Sequence, residues 1–227
     1  MRAKLYDMMR VASPYWLRRW IKNSAWFTPV SKAVFGTSVY SESYFKDIER
    51  IEGESVEHIA EWIVANLRPR RAVDIGCGPG HLMLSLQKRG VEVCGVDIAE
   101  AALDRCRQKG VHAEAFDLTS PTARVPGAPY DLAISCEVAE HLDAAHAGQF
   151  LTQLTACAKT VYLTAAEQDP SIGPGLHHVN EQPNSYWIAL MKERGYALDQ
   201  AATASARQAL TARNVVSYLA KPMIFRA

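Results

Sequence analysis

The chain has no Cys-x-x-Cys pair, and its five cysteines (Cys77, Cys94, Cys106, Cys136 and Cys157) are odd in number and scattered. That usage excludes a disulfide framework and a thiolate zinc site, and it fits reduced thiols in a cytoplasmic protein. No apolar run reaches the roughly 20 residues needed to cross a bilayer, and the start lacks the core of a signal peptide. Excess charge of one sign is missing as well. The net charge is +1, so the overall balance calls for no polyanionic partner. Internal repeats and low-complexity tracts are absent. What is present is 227 residues, 48% hydrophobic and 22% charged, the make-up of one globular domain with an extension.

The first 45 residues stand apart. Arg2, Lys4, Arg10, Arg18, Arg19, Lys22 and Lys32 face only Asp7 and Glu42, a net of +5, and Trp16, Trp20, Trp26, Phe27 and Phe35 are interleaved with them. A basic aromatic stretch of this kind fits two roles. It can lie on a membrane surface, or it can form a helical cap that packs its aromatics on the main domain, over a substrate cleft. The expected division is therefore an extension over 1–45 and a main domain over 46–227. Tyr40 and Tyr44, next to that boundary, are candidates for closing over a bound ligand, with surface packing as the other reading.

From residue 55 the pattern sharpens. Val56, Ile59, Ala60, Ile63, Val64 and Leu67 recur at helical spacing behind Ser55, a residue suited to cap a helix, and Pro69 ends the run. Short apolar strands are expected at 71–76, 91–96, 111–116, 130–136 and 160–164, with helices at 81–88, 101–108 and 147–158. Strand and helix alternating at this spacing predict a parallel sheet with helices on both faces, a doubly wound α/β fold. The tail reads as a helix over 185–194, a strand starting at 196–198, and a final strand over 214–220.

The strongest motif is Val73-Asp-Ile-Gly-Cys-Gly-Pro-Gly80. Glycines at 76, 78 and 80 let the backbone turn sharply after a strand and leave room for a ligand against the main chain. Asp97 ends the second strand, 21 residues after Gly76, where a carboxylate can accept both hydroxyls of a ribose. Asp117 ends the third strand, where an acid and backbone groups can hold an adenine edge. A dinucleotide fingerprint needs a small residue at its sixth place, which here is His81.

Gly-x-Gly-x-Gly after an Asp-bearing strand resembles the first motif of class I methyltransferases instead. Asp97, Asp117 and the strand Tyr130-Asp-Leu-Ala-Ile-Ser-Cys136 add to the likeness, which covers about residues 55–227. The resemblance implies a Rossmann-like sheet of seven strands, the last antiparallel, and S-adenosylmethionine as cofactor. It places Gly76, Gly78 and Gly80 along the methionine and ribose part. Asp97 takes the ribose, with Ile98 beside it, and Asp117 the adenine amino group, with Leu118 beside it. Cys136 falls by the methionine moiety, and Asp74 contacts its amino group through water.

After the fourth strand comes Ser135-Cys-Glu-Val-Ala-Glu-His-Leu142. Glu137, Glu140 and His141 stand at i, i+3 and i+4, so a helix beginning there would put them on one face. Two carboxylates and an imidazole converging at a sheet edge suit a divalent cation. The segment is similar to ubiquinone-biosynthesis O-methyltransferases and to small-RNA 2′-O-methyltransferases, which imply metal binding by these three residues, joined in the RNA enzymes by a later histidine. Gly175-Leu-His-His-Val-Asn-Glu-Gln-Pro183 offers His177 and His178. In an extended stretch they point opposite ways, so only one joins the site, and His178 is the first choice. The same Glu-His also occurs in metal-free methyltransferases, where it caps a helix, and both readings stand here.

Pro183-Asn-Ser-Tyr-Trp-Ile188 resembles a segment of bacterial polysaccharide and secondary-metabolite methyltransferases. It makes Tyr186 and Trp187 acceptor-contact candidates, with helix core as the alternative.

These readings predict an enzyme that O-methylates a small hydroxylated acceptor, a sugar or phenol diol, with Mg²⁺ or another divalent cation as the metal. Glu137, Glu140, His141 and His178 are its candidate ligands, and His141, His177 and His178 the candidate catalytic groups. A metal-free N-methyltransferase and a non-catalytic S-adenosylmethionine-binding regulator are the alternatives. The lack of an RNA-binding module and of net charge speaks against a nucleic acid acceptor. Nothing in the sequence fixes the oligomeric state.

Overall fold

A computed structural model describes residues 42–168 and 177–227. Most of the basic extension, Tyr40 included, lies outside the described residues. The first helix among the described residues, α1 (Glu42–Asn66), runs across the expected 45/46 boundary. After it come β1 (Arg71–Ile75), α2 (His81–Lys88), β2 (Glu92–Asp97), α3 (Glu100–Lys109), β3 (Ala113–Ala115) and β4 (Leu132–Cys136). Then follow a 3-10 turn (Ala139–His141), α4 (Ala144–Cys157), β5 (Thr160–Thr164), α5 (Asn184–Glu193), β6 (Ala197–Leu198), α6 (Gln200–Ala212) and β7 (Met223–Arg226).

Among the described residues, seven strands form one sheet in the order β3-β2-β1-β4-β5-β7-β6. Val73 on β1 lies opposite Cys94 on β2 and Ala133 on β4, all parallel, whereas β7 runs antiparallel to both β5 and β6. This is the expected Rossmann-like doubly wound sheet with its last strand reversed. Alternate side chains of a strand face opposite ways. Ala72, Leu132, Ile134, Tyr162 and Ile224 therefore pack with α1, α2 and α6 on one face. Val73, Ile75, Ala133, Val161, Leu163 and Phe225 pack with α4 and α5 on the other. Ile59, Ile63, Ile75, Leu132 and Ile134 are fully buried, each stabilising the fold by about 1.5–3 kcal/mol.

Two expectations fail at the ends of the main domain. Ser55 caps no helix. It sits buried inside α1, and its Oγ accepts the Val216 N–H at 3.1 Å, so a polar residue that reads as a boundary instead ties α1 to the tail. The final strand is not at 214–220 either. That stretch is a series of turns whose Val215, Leu219 and Ala220 fill the core beside α1 and α6, and the strand follows at Met223–Arg226. Burial without ladder pairing produced the apolar pattern. Helix α6, absent from the sequence reading, is capped by the Asp199 side chain, which accepts the Ala202 N–H at 2.9 Å.

Helix α1 is fastened over the glycine turn by charge. Glu49 accepts from Lys109 at 2.6 Å and Arg105 at 2.7 Å, with His81 at 3.3 Å, and Lys109 also donates to the Pro79 carbonyl at 2.9 Å. One carboxylate thus joins α1, α3 and the glycine turn, and the Lys109 and Arg105 hydrogen bonds hold its proton affinity below the ordinary range against the opposing effect of burial.

Candidate active site

The strand order reverses direction at β1. β2 and β3 lie on one side of it, β4 and β5 on the other, and the carboxyl ends of β1 and β4 flank a crevice. That crevice is a cavity of about 830 Å³, walled by α1 and by the tail residues Ser217–Leu219 and Lys221.

The glycine turn shapes one end. Gly76 has φ +78°, and a Cβ there would stand 2.4 Å from a methyl of Val138, so only glycine lets the turn and the loop after β4 touch. Gly76 and Gly78 line the cavity. Gly80 does not. A Cβ on Gly80 would strike Cys106 and Val111, which makes that glycine a packing residue between the turn and α3.

Asp97 accepts the Gly78 N–H at 2.9 Å with one carboxylate oxygen and the Ala99 N–H at 2.8 Å with the other. The carboxylate is thereby aimed into the cavity, and each oxygen keeps lone-pair capacity for a hydroxyl. Asp117 accepts both the hydroxyl and the N–H of Thr119, at 2.6 and 2.8 Å, and these bonds hold its pKa low. Asp74 is wholly buried. Desolvation first, then the charge of Asp97, pushes its pKa up to about 7. Ile98, Phe116, Leu118 and Cys136 complete this end, and Phe45 on α1 packs over Ala99 and Ala102. A glycine turn lining the cavity, an acid suited to an ammonium, and two acids suited to hydroxyl and amino groups fit S-adenosylmethionine.

The other end gathers the Glu-His segment, by a route the sequence reading did not foresee. No helix begins at Glu137. Its φ is +57°, the left-handed region, and its N–H points back to Thr164, with Oγ1 at 3.2 Å and the carbonyl at 3.3 Å. Only the 3-10 turn Ala139–His141 follows. The Glu140 carbonyl accepts the N–H groups of Val179 at 2.8 Å and Asn180 at 3.0 Å, which staples the His177–Asn180 stretch onto the turn. Glu140, His141 and His178 then offer ligand atoms within 4.8 Å of one another. The His141 and His178 rings meet edge to face at 4.7 Å. Glu137 stands beside that group rather than in it.

The surroundings shift both of these carboxyls toward their acidic form. Burial raises Glu140 well above the carboxylate range and Glu137 above it, and the Glu137 charge pushes Glu140 further up. Oε1 of Glu137 and both carboxyl oxygens of Glu140 are buried with no hydrogen-bond partner of good geometry. The donor set, one carboxylate and two imidazoles, suits a divalent cation that prefers oxygen and nitrogen ligands.

Of the other expected residues, His177 lines the cavity with φ +60°, and its carbonyl lies 3.3 Å from Nδ1 of His141. Tyr44 lines it too. Tyr186 and Trp187 do not, because α5 turns Trp187 fully into the core and packs Tyr186 on it, as the helix-core alternative had it. Glu52, Tyr218 and Glu181 are among the cavity residues that escaped the sequence reading. Tyr218 donates its hydroxyl to Glu52 at 2.8 Å, and Glu181 lies 2.6 Å from Nδ1 of His178. Glu181 had a signal, the i+3 spacing from His178. Glu52 and Tyr218 had none, being 166 residues apart in the chain.

A family model described as a methyltransferase domain matches residues 44–202. Magnesium-protoporphyrin O-methyltransferase of Synechocystis is 29% identical over 147 residues, 57% of this chain and 64% of that protein. Ubiquinone biosynthesis O-methyltransferase of Bordetella avium is 32% identical over 106 residues, 44% of each. The matched stretch thus spans less than two thirds of either relative. Among solved structures, magnesium protoporphyrin IX methyltransferase from Synechocystis with bound S-adenosylhomocysteine gives a TM-score of 0.58 at 20% identity, covering 79% of this chain and 84% of that one. At that identity the likeness is one of fold.

Proposed function

The chain belongs to the methyltransferase domain family, and on that premise we propose that it moves the methyl group of S-adenosylmethionine onto an oxygen of a small hydroxylated acceptor, a sugar or phenol diol, with help from a divalent cation. The observation that carries this reading is a single cavity with two chemically distinct ends. Asp97 and Asp117 stand at one, and Glu140, His141 and His178 converge at the other.

When bound, S-adenosylmethionine supplies a methyl group on a sulfonium whose leaving group is a neutral thioether. The chain's own task is to bind and align. Asp97 and Asp117 fix the nucleoside, Asp74 holds the amino end, and Gly76 keeps the main chain close. Glu140, His141 and His178 would hold a Mg²⁺ or Mn²⁺ ion, which lowers the pKa of a coordinated hydroxyl. His177, lining the cavity outside that group, is the proposed acceptor of the hydroxyl proton.

Two measurements on the same protein test this. Calorimetry with Mn²⁺ should show one site that Glu140→Ala removes. Methyl transfer from labelled S-adenosylmethionine to caffeate or another catechol should stop in excess EDTA and return with Mg²⁺. Transfer at full rate in chelator, together with no Mn²⁺ binding, would assign these residues a structural role and leave a metal-free enzyme.

A further inference from the structure

The 175–183 segment carries Glu181 without giving it a role, yet its Oε1 lies 2.6 Å from Nδ1 of His178, with the two side chains only 10% and 17% exposed. At that distance a carboxylate beside an imidazole nitrogen accepts an N–H, so the proton of the neutral ring sits on Nδ1 and the lone pair on Nε2. Free histidine prefers the opposite tautomer, so the carboxylate reverses the ring's own choice.

The backbone does not need this contact. Val179 and Asn180 already bind the Glu140 carbonyl, so the stretch carrying His178 is fixed from the turn below it. The edge-to-face packing of His178 on His141 sets the ring plane independently. What Glu181 adds is a choice of which nitrogen carries the electron pair.

We propose that Glu181 is a positioning residue that locks His178 as the Nδ1–H tautomer and so presents Nε2 as an electron-pair donor to the group it forms with Glu140 and His141. The assignment rests on the metal-assisted reading above for its purpose, though not for its geometry. Carboxylates behind ligating histidines typically change metal affinity by about 10–100-fold.

The test uses the full chain and two readouts. In two-bond ¹H–¹⁵N correlation spectra at pH 8, assigned with His178→Gln, wild-type His178 should show a protonated Nδ1 and an unprotonated Nε2. Glu181→Gln and Glu181→Ala should shift the ring toward the Nε2–H form. Mn²⁺ affinity, measured by calorimetry, should fall about 10–100-fold in both variants, while S-adenosylhomocysteine affinity stays within about twofold. A wild-type His178 found as the Nε2–H tautomer overturns the assignment whatever the metal does. So does a Mn²⁺ affinity that both variants leave unchanged. If wild type binds no Mn²⁺, the metal-assisted reading fails by itself, and the tautomer spectrum still decides the role of Glu181.

Discussion

Asp97, half-buried, and Glu140, fully buried, are both carboxyls at the carboxyl edge of the same sheet, and their surroundings could hardly differ more. Both oxygens of Asp97 take backbone N–H groups, and Asp117 is bonded twice by Thr119. Glu140 has neither oxygen in a well-formed hydrogen bond, Glu137 leaves one without a partner, and Asn180 Nδ2 is in the same position. The nucleotide end is organised by the main chain, so it is set once the sheet forms. The Glu140 end buries polar atoms whose unmade hydrogen bonds cost about 1–3 kcal/mol each.

If the two ends are separable, substitutions should divide cleanly between them. The largest effect is expected from Glu140→Ala, which should lower methyl transfer at least about a hundredfold, ~2.7 kcal/mol or more in the barrier. S-adenosylhomocysteine affinity should stay within about twofold, and a parallel loss of it would join the two ends. Asp97→Ala is the converse. Removing paired hydroxyl hydrogen bonds should weaken S-adenosylhomocysteine by roughly 1.5–3 kcal/mol, with Mn²⁺ affinity untouched in the same titrations.

A smaller effect concerns the wall between α1 and the tail. Burial pushes the Glu52 carboxyl up to about 7, with the Glu137 charge adding to it and the Tyr218 hydroxyl opposing it. A carboxyl whose folded pKa exceeds its unfolded value contributes stability at low pH and loses it as pH rises through the folded value. Thermal melts should therefore show Glu52→Gln gaining on wild type between pH 5 and pH 8, by on the order of 1–3 kcal/mol. A gap that does not change with pH would contradict this.

The smallest signal should come from Asp74, whose pKa near 7 in the free protein reflects burial first and Asp97 second. An ammonium bound beside it favours the ionised form, so binding S-adenosylhomocysteine at pH 7 should release a fraction of a proton. The binding enthalpy should then depend on the ionisation enthalpy of the buffer, and Asp74→Asn should remove that dependence.

The sequence exposed these two ends unequally, for physical reasons. Val73-Asp-Ile-Gly-Cys-Gly-Pro-Gly80 is local. Strand, turn and helix start lie within a few residues, and Asp97 and Asp117 follow at strand ends, so spacing alone placed them. Gly80 was the exception, since only packing against Cys106 and Val111 reveals its task. The Glu140 end is made by contacts across the chain. Glu137, Glu140 and His141 have helical spacing, yet the left-handed backbone at Glu137 excludes a helix there, and His178 arrives through the bonds that its neighbours Val179 and Asn180 make to the Glu140 carbonyl. The tail misled because Val215, Leu219 and Ala220 are apolar for burial without being strand. Trp187 and Tyr186 read equally as acceptor contacts or helix core, and the turn of α5 decided for the core.

The central claim is that the glycine turn, Asp74, Asp97 and Asp117 form one site for S-adenosylmethionine. Calorimetric titration of the full chain with S-adenosylhomocysteine tests it most directly. The account predicts one site per chain with a Kd in the micromolar range or tighter, about −8 kcal/mol. Binding of NAD with no binding of S-adenosylhomocysteine would contradict it.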